Sequence, residues 1–373
     1  MERYFGENTP KLGFGLMRLP RNEDKTIDIE QTKQMVDLFM AAGQTYFDTA
    51  YVYDDGNSEK AAKAALVDRY PRESFTLATK LNARVAENAE GAKKQLEISL
   101  ERTGAGYFDY YLLHALGPSN VQQYDEYGLW DFVKEQKEKG LIKHWGFSFH
   151  GGPELLDRLL TDHPDVEFVQ LQLNYLDWED PTVASRANYE VARKHGKSIV
   201  IMEPVKGGAL ADPIPAVKDI LYQANPTASF ASWAVRYAAS LEGIITVLSG
   251  MSNVEQMEDN LSYMKEFKPL SQEEREVIGA VRAVYDGIDS IPCTRCRYCV
   301  DGCPKQIPIP QIFAARNRQL VLGQMERGAA DYARAIEGVG SAADCIACGQ
   351  CERACPQQIR IIEQLKAAAE NFG

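Results

Sequence analysis

Residues 29–49, IEQTKQMVDLFMAAGQTYFDT, hold the pattern from which the fold is predicted. Residues 29–42 place apolar side chains at helical spacing, which is typical of a helix that packs on a sheet. Residues 45–49 then form a short apolar run, which predicts a buried strand. A helix that leads into a short buried strand is the unit that α/β proteins repeat.

This unit recurs through the first 290 residues. Eight apolar runs are predicted as strands: 12–18, 45–49, 75–80, 107–113, 144–149, 168–173, 198–202 and 245–248. Helices are predicted at 29–42, 58–70, 89–103, 121–139, 153–161, 182–195, 227–239 and 254–264. Eight strand–helix pairs over roughly 250 residues are the number and size of a (β/α)8 TIM barrel. A doubly wound sheet is the alternative, but its G-x-G-x-x-G fingerprint begins at Gly13 and Gly15 and fails at Arg18.

The composition is that of a globular protein, with 45% hydrophobic and 25% charged residues. A chain of 373 residues is expected to form two domains, one of them large. No apolar run approaches the ~20 residues that a membrane span needs. The net charge is −12 and no lysine or arginine tract stands out, so we expect neither a membrane nor a nucleic acid as partner. Residues 1–11 are polar and charged, unlike a signal peptide, and we expect a cytoplasmic protein.

The cysteines form one pattern twice, C-x-x-C-x-x-C-x-x-x-C-P, and none occurs before residue 293. This is the bacterial ferredoxin spacing, in which three thiolates hold one [4Fe–4S] cluster and the fourth ligates the other cluster. The first predicted cluster site comprises Cys293, Cys296, Cys299 and Cys355. The second comprises Cys345, Cys348, Cys351 and Cys303.

Two other interpretations of the cysteines are disulfides and zinc. Disulfides suit secreted proteins, which this sequence does not resemble. Zinc sites usually combine two separated C-x-x-C pairs. The long spacer between the motifs includes helical patterns at 309–322 and 324–337, so the region resembles α-helical ferredoxins. A further helix is predicted from residue 270 to about 284, followed by a short, stiff join to the first cysteine.

Titratable side chains follow three of the predicted strands. In a TIM barrel the chemistry takes place at the carboxyl ends of the strands. Asp48, Lys80 and His114 occupy such positions, and Tyr53 lies in the loop 51–56 just after Asp48. These four residues are expected to converge on one rim of the barrel.

The same residues carry a family resemblance. Residues 47–53, FDTAYVY, and the later Asn57-Ser58-Glu59 are very close to the F-D-T-A-x-x-Y…N-E pattern of aldo-keto reductases. Residues 78–80, ATK, and 110–114, YYLLH, match the next two catalytic blocks. The chain resembles this family from about residue 12 to 260, and the whole chain resembles aldo-keto reductases fused to a ferredoxin. We therefore expect a barrel domain at 1–287 and a small, mainly α-helical ferredoxin-like domain with two clusters at 288–373.

The resemblance implies a catalytic role for each of the four rim residues. Tyr53 would act as general acid toward a carbonyl oxygen. Lys80 would lower the pKa of that tyrosine, which is ~10 in a free side chain, and Asp48 would orient the lysine. His114 would hydrogen-bond the substrate oxygen. The implied reaction is the NAD(P)H-dependent reduction of a small aldehyde or ketone, or the reverse oxidation of an alcohol.

The resemblance also implies a binding site for the nicotinamide cofactor. Ser148 and Gln170 would hold the carboxamide, and Met202 would lie against the nicotinamide ring. The remaining expected cofactor contacts are Gly15, Met17 and Asp48, together with Gly250, Ser252, Gln256 and Asn260 in the adenosine loop. Many NADPH-preferring relatives have Lys and Arg where this chain has Gly250 and Gln256. Both NADP(H) and NAD(H) therefore remain open.

Three hypotheses describe how the two parts work together. In the first, the barrel is a nicotinamide-dependent enzyme whose clusters regulate it or couple it to a redox partner protein. In the second, the clusters relay electrons to a partner and the barrel binds nucleotide. In the third, the clusters only stabilise a small domain that has little core of its own.

Overall fold

The computed structural model describes residues 3–373, except for the side chain of Asp301. The chain forms two compact units. The barrel unit comprises Met1–Leu210 and Ala228–Arg275, and the cysteine unit comprises Ala211–Thr227 and Glu276–Gly373. The domain boundary that the sequence predicts, between 287 and 288, lies inside the cysteine unit and remains a prediction. Within residues 3–373 we find no helix with the length and apolar character of a membrane span.

The barrel unit contains a closed, all-parallel barrel in which each strand pairs with its sequence neighbours and the last pairs with the first. Its strands are β1 Leu12–Gly15, β2 Tyr46–Asp48, β3 Thr76–Leu81, β4 Phe108–Leu116, β5 Ile142–Phe149, β6 Phe168–Gln172, β7 Ser198–Met202 and β8 Ile244–Ser249. The TIM barrel is thereby confirmed, and the doubly wound alternative is excluded because the sheet closes on itself.

Helices follow the strands along the chain. They are α1 Ile29–Ala41, α2 Asn57–Ala62, α3 Ala89–Thr103, α4 Val121–Glu126, α5 Leu129–Glu138, α6 Pro153–Asp162, α7 Ser185–Lys194, α8 Pro215–Ala224, α9 Phe230–Ala239 and α10 Val254–Met264. Of these, α8 belongs to the cysteine unit. The predicted helix 121–139 is divided in two, because the chain adopts a left-handed conformation at Gly128. The predicted helix 182–195 begins late, because the Asp180 carboxylate accepts the amides of Thr182 and Val183 and forms a turn.

The two ends of the barrel interior differ in character. At the end where the strands begin, Phe5 packs against the rings of Tyr110, His144 and Phe168. These side chains and the fully buried Tyr46 fill that end with apolar contacts. The polar side chains of the predicted site lie instead at the carboxyl ends of the strands, as expected for a barrel of this type.

The cysteine unit is built from helices around a small apolar core. Its remaining helices are α11 Gln272–Asp286, which begins just before the unit, α12 Tyr298–Asp301, α13 Ile309–Leu322, α14 Met325–Ala335, α15 Gln350–Ala354 and α16 Ile361–Phe372. The core includes Ile312, Phe313, Leu365 and Ala368, all almost fully buried. The ring of Tyr332 stacks on Phe372 with 4.3 Å between centroids. The expected mainly helical architecture is confirmed.

Candidate active site and cysteine cavities

A buried ion pair forms the base of the candidate active site. Strand register places Asp48 beside Gly15 and Ala78, and Lys80 lies two residues further along β3. The Lys80 ammonium donates to Asp48 Oδ1 at 2.5 Å and to the carbonyl oxygen of Thr49 at 2.6 Å. Both side chains of the ion pair are almost fully buried, with 0% and 3% exposure. A charged pair so deep in a barrel needs its partners, because unpaired charges are rarely tolerated there.

Tyr53 reaches this ion pair from the loop after β2. It begins a short 3-10 turn, Tyr53–Gly56, and Lys80 Nζ lies 3.4 Å from its hydroxyl oxygen. The same ammonium lies 4.8 Å from the centroid of the tyrosine ring. The chain Asp48–Lys80–Tyr53 that the sequence predicts is therefore continuous in the structure.

An arginine of α3 holds the loop that carries Tyr53. Arg102 donates to the carbonyl oxygen of Tyr51 and to the fully buried Glu59 carboxylate, which also accepts from Thr79. Its guanidinium passes so close to Gly56 that a β-carbon there would lie 2.4 Å from Arg102 Cζ. Gly56 also has φ of 85°, a conformation that favours glycine, and a larger residue there would displace the Arg102 guanidinium. Arg102 could not be assigned to the site from sequence, since no motif connects it to the loop.

His114 lies beside Tyr53 on the neighbouring side of the site. It belongs to β4 at the irregularity between Leu113 and Leu116, and its ring centroid lies 5.7 Å from that of Tyr53 in an edge-on arrangement. Its backbone oxygen accepts from the hydroxyl of Tyr124. The buried Nδ1 of its ring has no hydrogen-bond partner among the described residues. The imidazole therefore keeps unused hydrogen-bonding capacity at this nitrogen.

Burial dominates the electrostatics of these groups. It raises the pKa of Tyr53 above its usual value, and the nearby Lys80 ammonium only partly opposes this. Lys80 thus lowers the pKa of Tyr53 as the sequence predicts, but burial outweighs this effect and the pKa stays above its usual value. Burial, Lys80 and His150 together hold the pKa of His114 well below its ordinary value. Burial disfavours the charged form of Lys80, but Asp48 and Tyr53 leave its pKa raised. At neutral pH the site thus holds a neutral phenol, a neutral imidazole and an ammonium.

The two residues predicted to hold the nicotinamide carboxamide are neighbours on the same rim. Ser148 and Gln170 are directly paired in the register of β5 and β6. The Ser148 hydroxyl accepts the amide of Ala115 at 2.7 Å. The buried Oε1 of Gln170 has no hydrogen-bond partner among the described residues. An unsatisfied buried acceptor is costly, and it suits the amide group of a nicotinamide.

The other predicted cofactor residues lie at the ends of three strands. Gly15 ends β1 and is paired with Asp48. Met202 ends β7, and Met17 is 56% exposed in the turn after β1. In the segment after β8, Gly250 is exposed and Gln256 Oε1 accepts the amide of Ser252. Asn260 donates to the carbonyl oxygen of Gln256, so both amide side chains brace the start of α10.

The structure adds charged residues that the sequence analysis did not assign. Glu203, just after β7, contributes to raising the pKa of Tyr53 and faces Arg18 with 3.7 Å between the charged atoms. Lys206 pairs with the buried Asp177, whose carboxylate also accepts from Asn174. The position of Glu203 directly after a barrel strand was the available sequence signal.

The eight cysteines are free thiols and line two cavities. Cys293, Cys296, Cys299 and Cys355 line the first cavity together with Ile309, Phe313, Ile359 and Ile361. Cys303, Cys345, Cys348 and Cys351 line the second with Ile307, Ile309, Ile362 and Leu365. These are the two groups that the crossed ferredoxin pattern predicts. Burial raises the pKa of the Cys299 and Cys351 thiols to about 11. Four soft sulfur donors in an apolar cavity fit an iron–sulfur cluster.

Comparison with protein families assigns both parts of the chain. The model of the aldo/keto reductase family matches residues 11–283. The model of the 4Fe-4S dicluster domain matches residues 292–359. The first match covers well over half of the chain.

Individual relatives agree with the barrel assignment. Aldo-keto reductase str7 of Strobilurus tenacellus is 30% identical over 213 residues, which are 54% of this chain and 59% of that protein. The match thus spans less than two thirds of that relative. The uncharacterized oxidoreductase YqkF of Bacillus subtilis is 23% identical over 67% of this chain and 86% of its own.

Solved structures show the same fold. Aldo-keto reductase AKR11C1 from Bacillus halodurans, in its holo form, is 25% identical with a TM-score of 0.57, over 73% of this chain and 91% of that chain. An aldo-keto reductase from Klebsiella pneumoniae in complex with NADPH is 21% identical with a TM-score of 0.62, over 76% of this chain and 96% of that chain.

Proposed function

Because this chain belongs to the aldo/keto reductase family, we propose that its barrel reduces an aldehyde or ketone with NADPH or NADH and that Tyr53 donates the proton. The observation that carries this proposal is the buried chain from Asp48 through Lys80 to the Tyr53 hydroxyl, with the unpaired ring nitrogen of His114 beside it. The substrate is a small carbonyl compound, or an alcohol in the reverse direction.

Each rim residue has a defined task in this reaction. The bound nicotinamide supplies the hydride that reaches the carbonyl carbon. His114, neutral because its pKa is lowered, donates a hydrogen bond to the carbonyl oxygen and holds it near Tyr53. The Tyr53 hydroxyl delivers a proton to that oxygen as negative charge develops on it. Lys80 stabilises the resulting phenolate, and Asp48 keeps the lysine charged and directed at Tyr53.

The binding of the cofactor is proposed to depend on strand ends β1, β5, β6 and β7. Gln170, whose buried Oε1 has no partner among the described residues, and its neighbour Ser148 would hold the carboxamide. Met202 presents a polarisable side chain to the nicotinamide ring. Gly250 has no side chain and Gln256 is engaged with Ser252, so neither supplies a cation for a 2′-phosphate. We therefore expect both NADPH and NADH to be used.

The two cysteine groups are proposed to hold one [4Fe–4S] cluster each, Cys293, Cys296, Cys299 and Cys355 in the first cavity and the other four in the second. A cluster supplies single electrons, whereas the barrel moves a hydride. We propose that the clusters couple the enzyme to a one-electron redox partner, in the cytoplasm where thiols stay reduced. The supporting observation is that Cys296 and Cys348 are exposed, since purely structural clusters do not need exposed ligands.

Turnover of Tyr53→Phe with NADPH and a small aldehyde tests the barrel chemistry. Loss of the proton donor is expected to lower kcat by about 10²–10⁴-fold. The phenylalanine ring keeps the packing, so binding of the dinucleotide is expected to be unchanged. Tyr111→Phe is the matched control, because Tyr111 is also buried and its hydroxyl has no partner among the described residues. Equal turnover of Tyr53→Phe and wild type would remove Tyr53 from the mechanism.

A further inference from the structure

The two cysteine loops have the same backbone conformation. In the first cysteine loop, residues 293–299, Arg295 and Arg297 have φ of 56° and 69°. In the second cysteine loop, residues 345–351, Ala347 and Gly349 have φ of 55° and 73° at the equivalent positions. The match extends beyond the loops, where Gln306 and Gln358 also have positive φ. The sequence repeat is therefore also a structural repeat.

The same backbone carries very different side chains in the two loops. A left-handed conformation is unfavourable for residues with a β-carbon and is tolerated best by glycine. The second cysteine loop follows this preference at Gly349, with the small Ala347 two residues before. The first cysteine loop has arginine at both positions, and its backbone conformation does not account for this choice of residue. The two arginines therefore distinguish the first loop from the second by the charge that they present to the surroundings.

Both arginines lie at the surface on either side of an exposed cluster ligand. Arg295, Cys296 and Arg297 are all exposed, and Tyr298 after them is 65% exposed. No ion pair to either arginine is found among the charged side chains that the structure describes. The acidic residues nearest to this segment in sequence are Asp289 and Asp301, and none lies between them. The equivalent Cys348 lies between the uncharged Ala347 and Gly349, and the nearby Ile346 is 57% exposed. Two exposed cations on a protein of net charge −12 thus flank Cys296 of the first cluster site, whereas the second cavity has Lys305 in its lining but no cation adjacent to Cys348 in sequence.

We propose that residues Arg295–Tyr298 form the docking surface for a small acidic protein that carries one electron at a time. This inference rests on the proposed function, in which the four nearby cysteines hold a cluster. An acidic carrier is repelled by the net charge of this chain, so a local positive surface both steers and orients its approach. One electron passes from the reduced carrier, which is oxidised, to the cluster, which is reduced; no bond or proton is exchanged. Tyr298 supplies apolar contact area beside the charges.

The test replaces the two arginines by the residues of the other loop. The variant Arg295→Ala/Arg297→Gly keeps a backbone that the protein already forms with those residues, so it is expected to fold and to keep its iron. The matched control is Arg334→Ala/Lys366→Ala, which removes two exposed cations from helices α14 and α16 of the same unit. Iron content and NADPH-dependent aldehyde reduction are measured on every sample.

The probe is an acidic plant-type [2Fe–2S] ferredoxin. Its reduced form is mixed with the protein without oxygen, and bleaching of the cluster absorption is followed by stopped flow. The wild-type rate constant is expected to fall as ionic strength rises to about 0.5 M. The arginine variant is expected to be about tenfold slower at low salt and nearly insensitive to salt, and the control to behave as wild type. Calorimetric binding of the oxidised ferredoxin is expected to weaken in the arginine variant alone.

Three results would overturn the proposal. The first is equal rates and equal salt dependence for the arginine variant and wild type when both hold iron. The second is an equal slowing by the control variant, which would mean that only net charge matters. The third is arginine-dependent binding to phosphatidylserine vesicles with no binding of the ferredoxin. Protein without iron would refute the cluster assignment, whereas iron-loaded protein without aldehyde reduction would refute only the barrel chemistry.

Discussion

Lys80→Met removes the ammonium that neutralises the buried Asp48 carboxylate. The two charged atoms are 2.5 Å apart and the side chains are 0% and 3% exposed. With an effective dielectric constant of about 20, their attraction is about 7 kcal/mol. Part of this is offset, because the variant no longer buries the ammonium. Removing one partner of a buried pair typically costs about 3–5 kcal/mol of unfolding free energy, and we expect that range here.

The pH dependence of this loss identifies its cause. Burial already raises the pKa of Asp48, with Lys80 opposing, so its pKa in Lys80→Met is expected to rise further. The folded variant then binds a proton that the unfolded chain, with a pKa of about 3.9, releases. Its stability therefore falls as pH rises from about 4 through the raised pKa. The deficit relative to wild type is expected to be larger at pH 8 than at pH 5.

Urea unfolding at the two pH values measures the effect, and a double variant isolates it. Lys80→Met/Asp48→Asn carries no charge at either position of the pair and is expected to recover more than half of the lost stability, without its pH dependence. Neither variant is expected to regain reductase activity, because the tyrosine lacks its cationic partner in both. A Lys80→Met protein as stable as wild type at pH 8 would refute the buried ion pair, and so would a double variant that recovers nothing.

Three further predictions follow from the same site and from the cysteine cavities. Since burial raises the pKa of Tyr53, kcat/KM for reduction, which needs the phenol, is expected to stay level from about pH 6 to 9. Oxidation of the alcohol, which needs the phenolate, is expected to rise throughout this range, and a falling reduction rate near pH 7 would contradict the assignment. Arg102→Met is expected to lower kcat by roughly 10–100-fold with little change in KM for the dinucleotide, because the Tyr53 loop loses its anchor. Arg102→Lys is expected to restore part of kcat. An unchanged kcat in Arg102→Met would exclude the anchoring role. Cys293→Ala/Cys355→Ala removes two ligands of the first cluster site and is expected to lose about half of the iron. Cys293→Ala/Cys303→Ala removes one ligand from each site and is expected to lose most of the iron. The opposite order of iron loss would refute the crossed ligand sets.

The regular parts of the fold could be predicted because their sequence signals are local. Helices 89–103 and 254–264 were bounded correctly, since Asn88 and Asn253 cap their first turns by accepting backbone amides. Strand 198–202 is a continuous apolar run and was also bounded correctly. The late start of α7 could not be predicted, because it depends on the orientation of the Asp180 side chain. The helix α8, with proline in its first turn, was missed altogether.

The site shows the same division between local and tertiary information. The motif around Asp48 and Tyr53 predicted which residues meet. It could not predict that burial outweighs Lys80 in setting the pKa of Tyr53, since burial is a property of the closed barrel. Nor could it identify Arg102, which is 43 positions away from its partner Glu59 in sequence. Long-range partners of this kind have no periodicity or spacing that a single sequence reveals.

The path of the hydride tests the central claim most directly. The protein is mixed without oxygen with NADPH deuterated at the transferred position of C4 and with a small aldehyde, and the alcohol is examined by mass spectrometry. We predict one deuterium in the alcohol for each cofactor oxidised, and formation of this product by Tyr53→Phe at a rate lower by about 10²–10⁴-fold. Oxidation of the cofactor with bleaching of the clusters and no deuterium in the alcohol would contradict the proposed barrel chemistry.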